Sequence, residues 1–223
     1  MLPLSVCRAF SHSAQILGAS ILPHHHVLNI QKSGSSYHIE TSNGEFEAKH
    51  VVIANGVWGS AFFHSLGLGE SLVPVKGECI SVRNDHMPLK HTLFHEHSYI
   101  LPRKGRLVIG ATMVENDWSE TPALGGIQKL IMKAKSMLPG VEDMKLESCW
   151  AGLRPQTFDR KPFIGRHPEQ EQVFFAAGHF RNGILLAPAT AAMIRDLILG
   201  RRVRSDWAEA FKVDRRAPEH VRR

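Results

Sequence analysis

The spacing of apolar positions changes along the chain, and the changes mark out its elements. Val6, Phe10, Ala14 and Leu17 recur at helical spacing, which predicts a short helix over 5–17 that Gly18 ends. Residues 21–30 read as extended. Tyr37–Thr41 and Gly44–Ala48 flank Ser42-Asn43-Gly44, and Asn-Gly between two strand-like runs signals a hairpin. Lys49–Ala54 (KHVVIA) is a short apolar run between turns, the pattern of a buried strand. Val73–Val82, Thr92–Leu101, Leu107–Thr112 and Ser148–Gly152 predict further strands. Ile127, Leu130, Ile131, Ala134 and Leu138 share one face of a predicted helix over 127–138. Val173–Ala177 (VFFAA) predicts another buried strand. Asn182-Gly183 then precedes a helix over 184–199 that Gly200 closes. Pro188 lies near the start of that helix, where a proline costs less.

This order predicts an α+β fold with an α/β layer at its end. The composition is ordinary for a globular chain of 223 residues, with 43% hydrophobic and 22% charged positions. No apolar run approaches the roughly 18 residues of a membrane span, so no membrane partner is expected. Three cysteines (Cys7, Cys79, Cys149) without a CxxC pair point to reduced thiols and a cytoplasmic setting. Of the net charge of +6, +4 falls in the 24 residues from Gly200 to Arg223. Only Trp207 and Phe211 interleave with that basic run. It reads as a solvated tail, and nucleic acid is not expected as a partner.

Several residues carry candidate chemistry. Arg154, in GLRP, stands at the end of a short apolar strand beside Pro155. It is either a two-pronged carboxylate clamp or a surface arginine. His95, His97 and Tyr99 are spaced by two and would share one face of a strand, as a solvent face or as the wall of a polar pocket. His-x-His lacks a third metal ligand at a telling spacing, and neighbours in His24-His25-His26 alternate faces, so no metal is expected. Met113 is a core methionine or a pocket wall. In VFFAAGHFRNGILL a strand ends at Gly178 and a helix begins after Gly183. That arrangement serves an anion or a simple chain reversal. No Ser-His-Asp elbow, P-loop or HExxH is present, which is consistent with a cofactor doing the hard chemistry.

Six segments carry a resemblance. VVIANGVWGS (Val51–Ser60), LVPVKGECISV (Leu72–Val82), FHEHSYILPRKGRLVIGATM (Phe94–Met113), DWSETP (Asp117–Pro122), CWAGLRPQTFDRKPFIGRHP (Cys149–Pro168) and AAGHFRNGILLAPAT (Ala176–Thr190) occur in that order. Together they resemble the glycine oxidases of the D-amino-acid-oxidase-like flavoenzyme family, over about Val6 to Phe211. The resemblance implies a partial FAD-binding, Rossmann-like α/β layer with an inserted antiparallel substrate sheet. Residues 1–72 and 156–210 would belong to the FAD-binding part, 73–155 to the substrate sheet and 211–223 to a basic tail. It implies Arg154 as the carboxylate anchor, with His97, Tyr99, Met113 and Arg181 at the substrate site. Val27 would meet the adenine or ribose side of FAD, and Ala54, Asn55 and Gly56 its pyrophosphate end. Gly178, His179, Arg181, Asn182, Gly183 and Ile184 would form the loop over the flavin ring.

One departure from the family is large. The GxGxxG loop that cradles the FAD pyrophosphate does not occur here. In the family on the order of 145 residues precede the matched region, about the size of one domain, so this chain is expected to be a C-terminal part. The reaction implied for the whole protein is oxidative deamination of glycine or a small amine such as sarcosine. Oxygen would be the electron acceptor, and the products glyoxylate, ammonia and hydrogen peroxide. Its imine could instead feed thiazole synthesis for thiamine. Two alternatives are a sarcosine oxidase or D-amino-acid dehydrogenase of the same superfamily, and a non-catalytic remnant. Family members form tetramers, which the resemblance extends to the whole protein.

Overall fold

The computed structural model describes residues 3–69, 72–84 and 89–215. Arg216, Arg222 and Arg223 of the basic run lie outside them. In chain order the elements begin with α1 (Pro3–Ile16), β1 (Val27–Ser33), β2 (Ser36–Thr41), β3 (Gly44–Ala48), β4 (Val51–Ile53) and α2 (Ser60–Ser65). Then follow β5 (Val73–Arg83), β6 (Leu93–His95), β7 (Ser98–Arg103), β8 (Arg106–Gly110), β9 (Val114–Glu115) and α3 (Leu124–Met137). The last are β10 (Leu146–Gln156), β11 (Phe163–Arg166), β12 (Val173–Ala177), α4 (Gly183–Ile198) and α5 (Ser205–Ala210). The fold mixes helix and sheet, as the α+β pattern predicts. Among the described residues no helix is long and apolar enough to cross a membrane.

The chain forms two compact units. One gathers the residues up to Ile53 with Ile164–Ala176 and Asn182–Asp214. Its hairpin follows the Asn-Gly signal: β2 and β3 pair antiparallel with Thr41 opposite Gly44, whose φ of +121° a side chain would strain. β4 pairs parallel with β12, Val51 to Ile53 opposite Val173 to Phe175. Ile164 and Phe174 pack there against Met193 and Ile194 of α4. β4 alternates rather than being buried throughout, with Val51 and Ile53 covered and Val52 exposed. The extended segment is also shorter than its apolar content suggests. A turn with His24 in the left-handed region intervenes, and β1 starts only at Val27.

The second unit holds Ala54–Phe163 and Ala177–Arg181, with Arg215. Its centre is an antiparallel sheet ordered β10-β5-β8-β7-β6, with β9 also on β5. β5 is buried from Pro74 to Val82, because neighbours flank it in the sheet and both of its faces are covered. On one face Ile80 and Val82 join Ile100, Leu107 and Ile109, and α3 closes that core with Leu130 and Ala134. α3 begins three residues before the predicted start, and Ile131 of the expected apolar face is partly exposed.

Two strand expectations change. The single strand over 92–101 is a hairpin, because the chain reverses at Glu96-His97 and His95 pairs with Ser98. Glu96 takes a φ of +52° there without being glycine, so the turn carries no sequence mark. The strand over 148–152 runs instead from Leu146 to Gln156, which places Arg154 inside it, opposite Val75, rather than at its end.

Candidate active site

The second face of the β5 sheet carries the candidate chemistry. Cys79 lies opposite Trp150 of β10 on one side and Gly110 of β8 on the other, and Gly110 lies opposite Tyr99 of β7. The Tyr99 phenol reaches across Gly110 to within 3.7 Å of the Cys79 sulfur. A Cβ on Gly110 would stand 2.6 Å from the Tyr99 oxygen and 2.8 Å from the Cys79 sulfur. Glycine is therefore what lets the ring lie there. The Arg154 guanidinium rests in the same way on Gly77, where a Cβ would meet both terminal nitrogens at 2.2 Å. Two glycines of neighbouring strands thus form a floor, and Arg154 and Tyr99 lie on it.

Arg154 is half-buried, and its one hydrogen bond among the described residues runs from Nη1 to the Thr112 carbonyl at 3.3 Å. No carboxylate pairs with it among those residues. Burial lowers its pKa, Cys79 and Tyr99 pull it back up, and the Arg181 charge lowers it further. A guanidinium of this kind holds its charge yet lacks a counterion. Burial and then Cys79 push the Tyr99 phenol up to about 12, against the opposing charges of Arg154 and Arg181. Tyr99 therefore stays a neutral hydrogen-bond donor. Burial also raises the Cys79 thiol, which Tyr99 and Arg154 only partly offset, so it remains protonated near neutrality. The chemistry this face supports is recognition of a small anion by one or two arginines beside a neutral donor.

The strand end after Arg154 brings in the glycine loop. Gln156 pairs with His179, and the Phe180 N–H donates to the Pro155 carbonyl at 2.9 Å. Gly178 is buried with φ +78°, and a Cβ on it would stand 2.5 Å from Thr157 Cγ2, so both conformation and packing require glycine. Burial lowers the His179 pKa, keeping its ring neutral. Arg181 is exposed, with its charge in electrostatic reach of Arg154 and Tyr99.

The remaining predicted residues are placed as follows. His97 sits in the exposed turn between β6 and β7, so the row His95–His97–Tyr99 on one strand face does not exist. The physical reason is the reversal: alternation of faces holds only along a continuous strand. Met113 follows β8 outside the strand, next to Thr112, and is partly exposed rather than a core methionine. Ala54 and Asn55 are exposed, and Gly56 opens a 3-10 turn with φ +64°. In the other unit Val27 is exposed at the start of β1. There Asn182 precedes α4, whose first turn begins with Gly183 and Ile184, has no side-chain cap and contains no acidic residue. The N–H groups of that turn stand outside the helix's own ladder, beside the exposed side chains of Ile184 and Leu185. Such a helix start suits a hydrogen-bond acceptor or a group on which negative charge develops.

The sequence pattern left out Gly77, Cys79, Gly110, Thr112 and Glu78. One signal was available: Lys76 and Glu78 are charged residues spaced by two inside an otherwise apolar strand. Both prove almost wholly buried.

Comparisons with known proteins give the family. The sequence matches the family described as DAO, FAD dependent oxidoreductase, over residues 2–197. It is 55% identical over 219 residues to a glycine oxidase of Bacillus licheniformis, covering 98% of this chain and 59% of that protein. It is 38% identical over 214 residues to the bifunctional protein ThiO/ThiG of Synechocystis sp., covering 93% of this chain and 32% of that protein. The crystal structure of glycine oxidase from Geobacillus kaustophilus superimposes with a TM-score of 0.89 at 36% identity, covering 95% of this chain and 57% of the other. The chain thus spans under two thirds of the length of these relatives, and it belongs to the FAD-dependent oxidoreductase family.

Proposed function

We propose that this chain carries the substrate-recognition part, and the flavin-facing loop, of an FAD-dependent oxidase acting on glycine or a similarly small amino acid. The observation that supports this best is the half-buried Arg154. It lies on Gly77, and no carboxylate among the described residues neutralises it. An amino-acid carboxylate supplies the missing partner through two parallel hydrogen bonds. Arg181 adds positive charge to the same place, and Tyr99 donates a hydrogen bond from its protonated phenol. Gripped at its carboxylate, the substrate has its Cα held in one place, and that orientation supplies much of the rate.

The residues that would hold the cofactor are Gly178, His179, Arg181, Asn182, Gly183 and Ile184 at the flavin, Ala54, Asn55 and Gly56 near the phosphates and Val27 at the nucleoside. FAD, when bound there, would supply the two-electron acceptor, with oxygen as the terminal oxidant and hydrogen peroxide as the product. The chain's own contribution is to bind the amino acid in its neutral-amine form, orient Cα and exclude water. No protein base is needed in this scheme, which fits the neutral state of His179, Cys79 and Tyr99. Homologues named glycine oxidase and ThiO/ThiG favour glycine as substrate and a link to thiamine synthesis. Three cysteines free of disulfides suit a cytoplasmic setting. The resemblance favours a tetramer for the whole protein.

The test is peroxide release by FAD-loaded protein with glycine, sarcosine, D-alanine and methylamine, for wild type and Arg154→Ala. Oxidation of glycine that falls at least a hundredfold in the variant supports the reading. Equal rates in the two proteins, or no preference for amino acids over simple amines, overturn it.

A further inference from the structure

Thr112 joins the two faces of the substrate sheet. Its hydroxyl donates to Glu78 Oε2 at 2.9 Å and accepts from the Glu78 N–H at 2.8 Å, while its own N–H donates to the Glu78 carbonyl at 3.3 Å. The Thr112 carbonyl points the other way and receives Arg154 Nη1. Glu78 is itself fixed. It is buried, and its Oε1 accepts the Ala123 N–H at 2.7 Å and lies 3.6 Å from the Lys76 ammonium. The start of α3 closes over it, since a Cβ on Gly126 would stand 1.7 Å from Oε2. Lys76 is anchored in turn by Asp117 at 3.1 Å and Ser119 at 2.7 Å. A buried ion pair held by this many bonds does little for net stability, but it fixes geometry.

We infer that Thr112 and Glu78 form a positioning pair for Arg154, holding the one carbonyl that aims its guanidinium at the substrate carboxylate. The inference rests on the reading that Arg154 receives that carboxylate. Thr112 follows β8 outside the sheet ladder, so backbone pairing alone does not hold its carbonyl. Three hydrogen bonds to one residue of the central strand do. Arg154 has four rotatable side-chain bonds, and binding is strongest when its fork is set in advance. Without the clamp the guanidinium keeps its charge but loses its fixed direction, and the substrate must order it.

Thr112→Val keeps the shape and removes the hydroxyl, and Thr112→Ser keeps the hydroxyl. The probe is glycolate, a small carboxylate with a hydroxyl where glycine carries its amine. Its dissociation constant is measured on the 223-residue protein by NMR titration, for wild type, both Thr112 variants and Arg154→Ala. Thermal unfolding is recorded for each, and Thr112→Ala replaces the valine variant should that one not fold. The expected result is glycolate binding that Arg154→Ala abolishes, that Thr112→Val weakens about tenfold and that Thr112→Ser restores to within about twofold. Loss in Arg154→Ala with wild-type affinity in Thr112→Val overturns the positioning pair and leaves the Arg154 reading standing. Equal weakening by serine and valine also overturns it, because a general packing role would do the same. Absence of saturable binding in wild type, or full binding in Arg154→Ala, overturns the Arg154 reading and the pair with it.

Discussion

Replacing Gly77 by alanine separates recognition from folding. No positive φ is recorded at Gly77, so alanine fits the backbone of β5. Its Cβ, however, would stand 2.2 Å from both terminal nitrogens of Arg154. Ordinary contact needs about 3.5 Å, so the guanidinium must retreat by over 1 Å. The obstructing atoms are the far end of a flexible side chain, which moves cheaply, so the fold should hold. The carboxylate bonds do not tolerate such a shift. Charge-assisted bonds of this kind span about 2.7–2.9 Å, and each contributes about 1.5–3 kcal/mol. Loss of one weakens carboxylate binding about tenfold to a hundredfold. The assay is glycolate affinity beside the thermal midpoint, for wild type and Gly77→Ala. The expected pattern is a midpoint within about 3 °C of wild type with affinity reduced in that range. Unchanged affinity would refute the placement of Arg154 on its glycine floor as the basis of recognition.

Further predictions follow the same geometry. Gly110→Ala crowds Tyr99 and the buried Cys79 together, and should destabilise by about 1–3 kcal/mol in urea unfolding. Leu130→Ala, which opens the core beneath α3, should cost about 2–5 kcal/mol by the same measurement. Burial pushes the Glu78 carboxyl up, but the Ala123 N–H, the Thr112 hydroxyl and Lys76 outweigh it and leave its pKa below the ordinary 4.5. Its stabilising contribution is therefore complete above pH 4.5 and disappears as pH falls through the lower folded value. Urea midpoints should drop between pH 5 and 3, and Glu78→Gln should flatten that drop. The protein has two tyrosines, Tyr37 raised by burial and Tyr99 raised to about 12. Absorbance at 295 nm should therefore show the phenolate rise of the folded protein displaced above the ordinary pH 10.

Much of the fold is legible from local pattern. The Asn43-Gly44 hairpin, the apolar strands β5 and β12 and the helices α1, α3 and α4 lie within a few residues of their expected positions. In each, the periodicity or turn residue that signals the element also stabilises it. The β6–β7 reversal was hidden because Glu96 adopts a left-handed conformation that tertiary pairing imposes rather than its side chain prefers. That single turn removes His97 from the face where spacing had put it. Arg154 was legible as a residue but not as a site. Its meaning depends on Gly77, Gly110 and Thr112, which strand pairing brings beneath and beside it. A glycine that is empty so that another strand's side chain can occupy its place leaves no mark in its own neighbourhood. Glu78 and Thr112, 34 residues apart, meet only once β5 and β8 are paired.

The central claim is that Arg154 selects a carboxylate whose Cα then reduces the flavin. Its most direct test is the visible spectrum of FAD-loaded protein mixed anaerobically with glycine or with methylamine, an amine without the carboxylate. The account predicts that glycine bleaches the flavin band, that methylamine leaves it, and that Arg154→Ala abolishes the response to glycine at the same concentration. Bleaching by both amines alike, or by glycine in Arg154→Ala as in wild type, would contradict it.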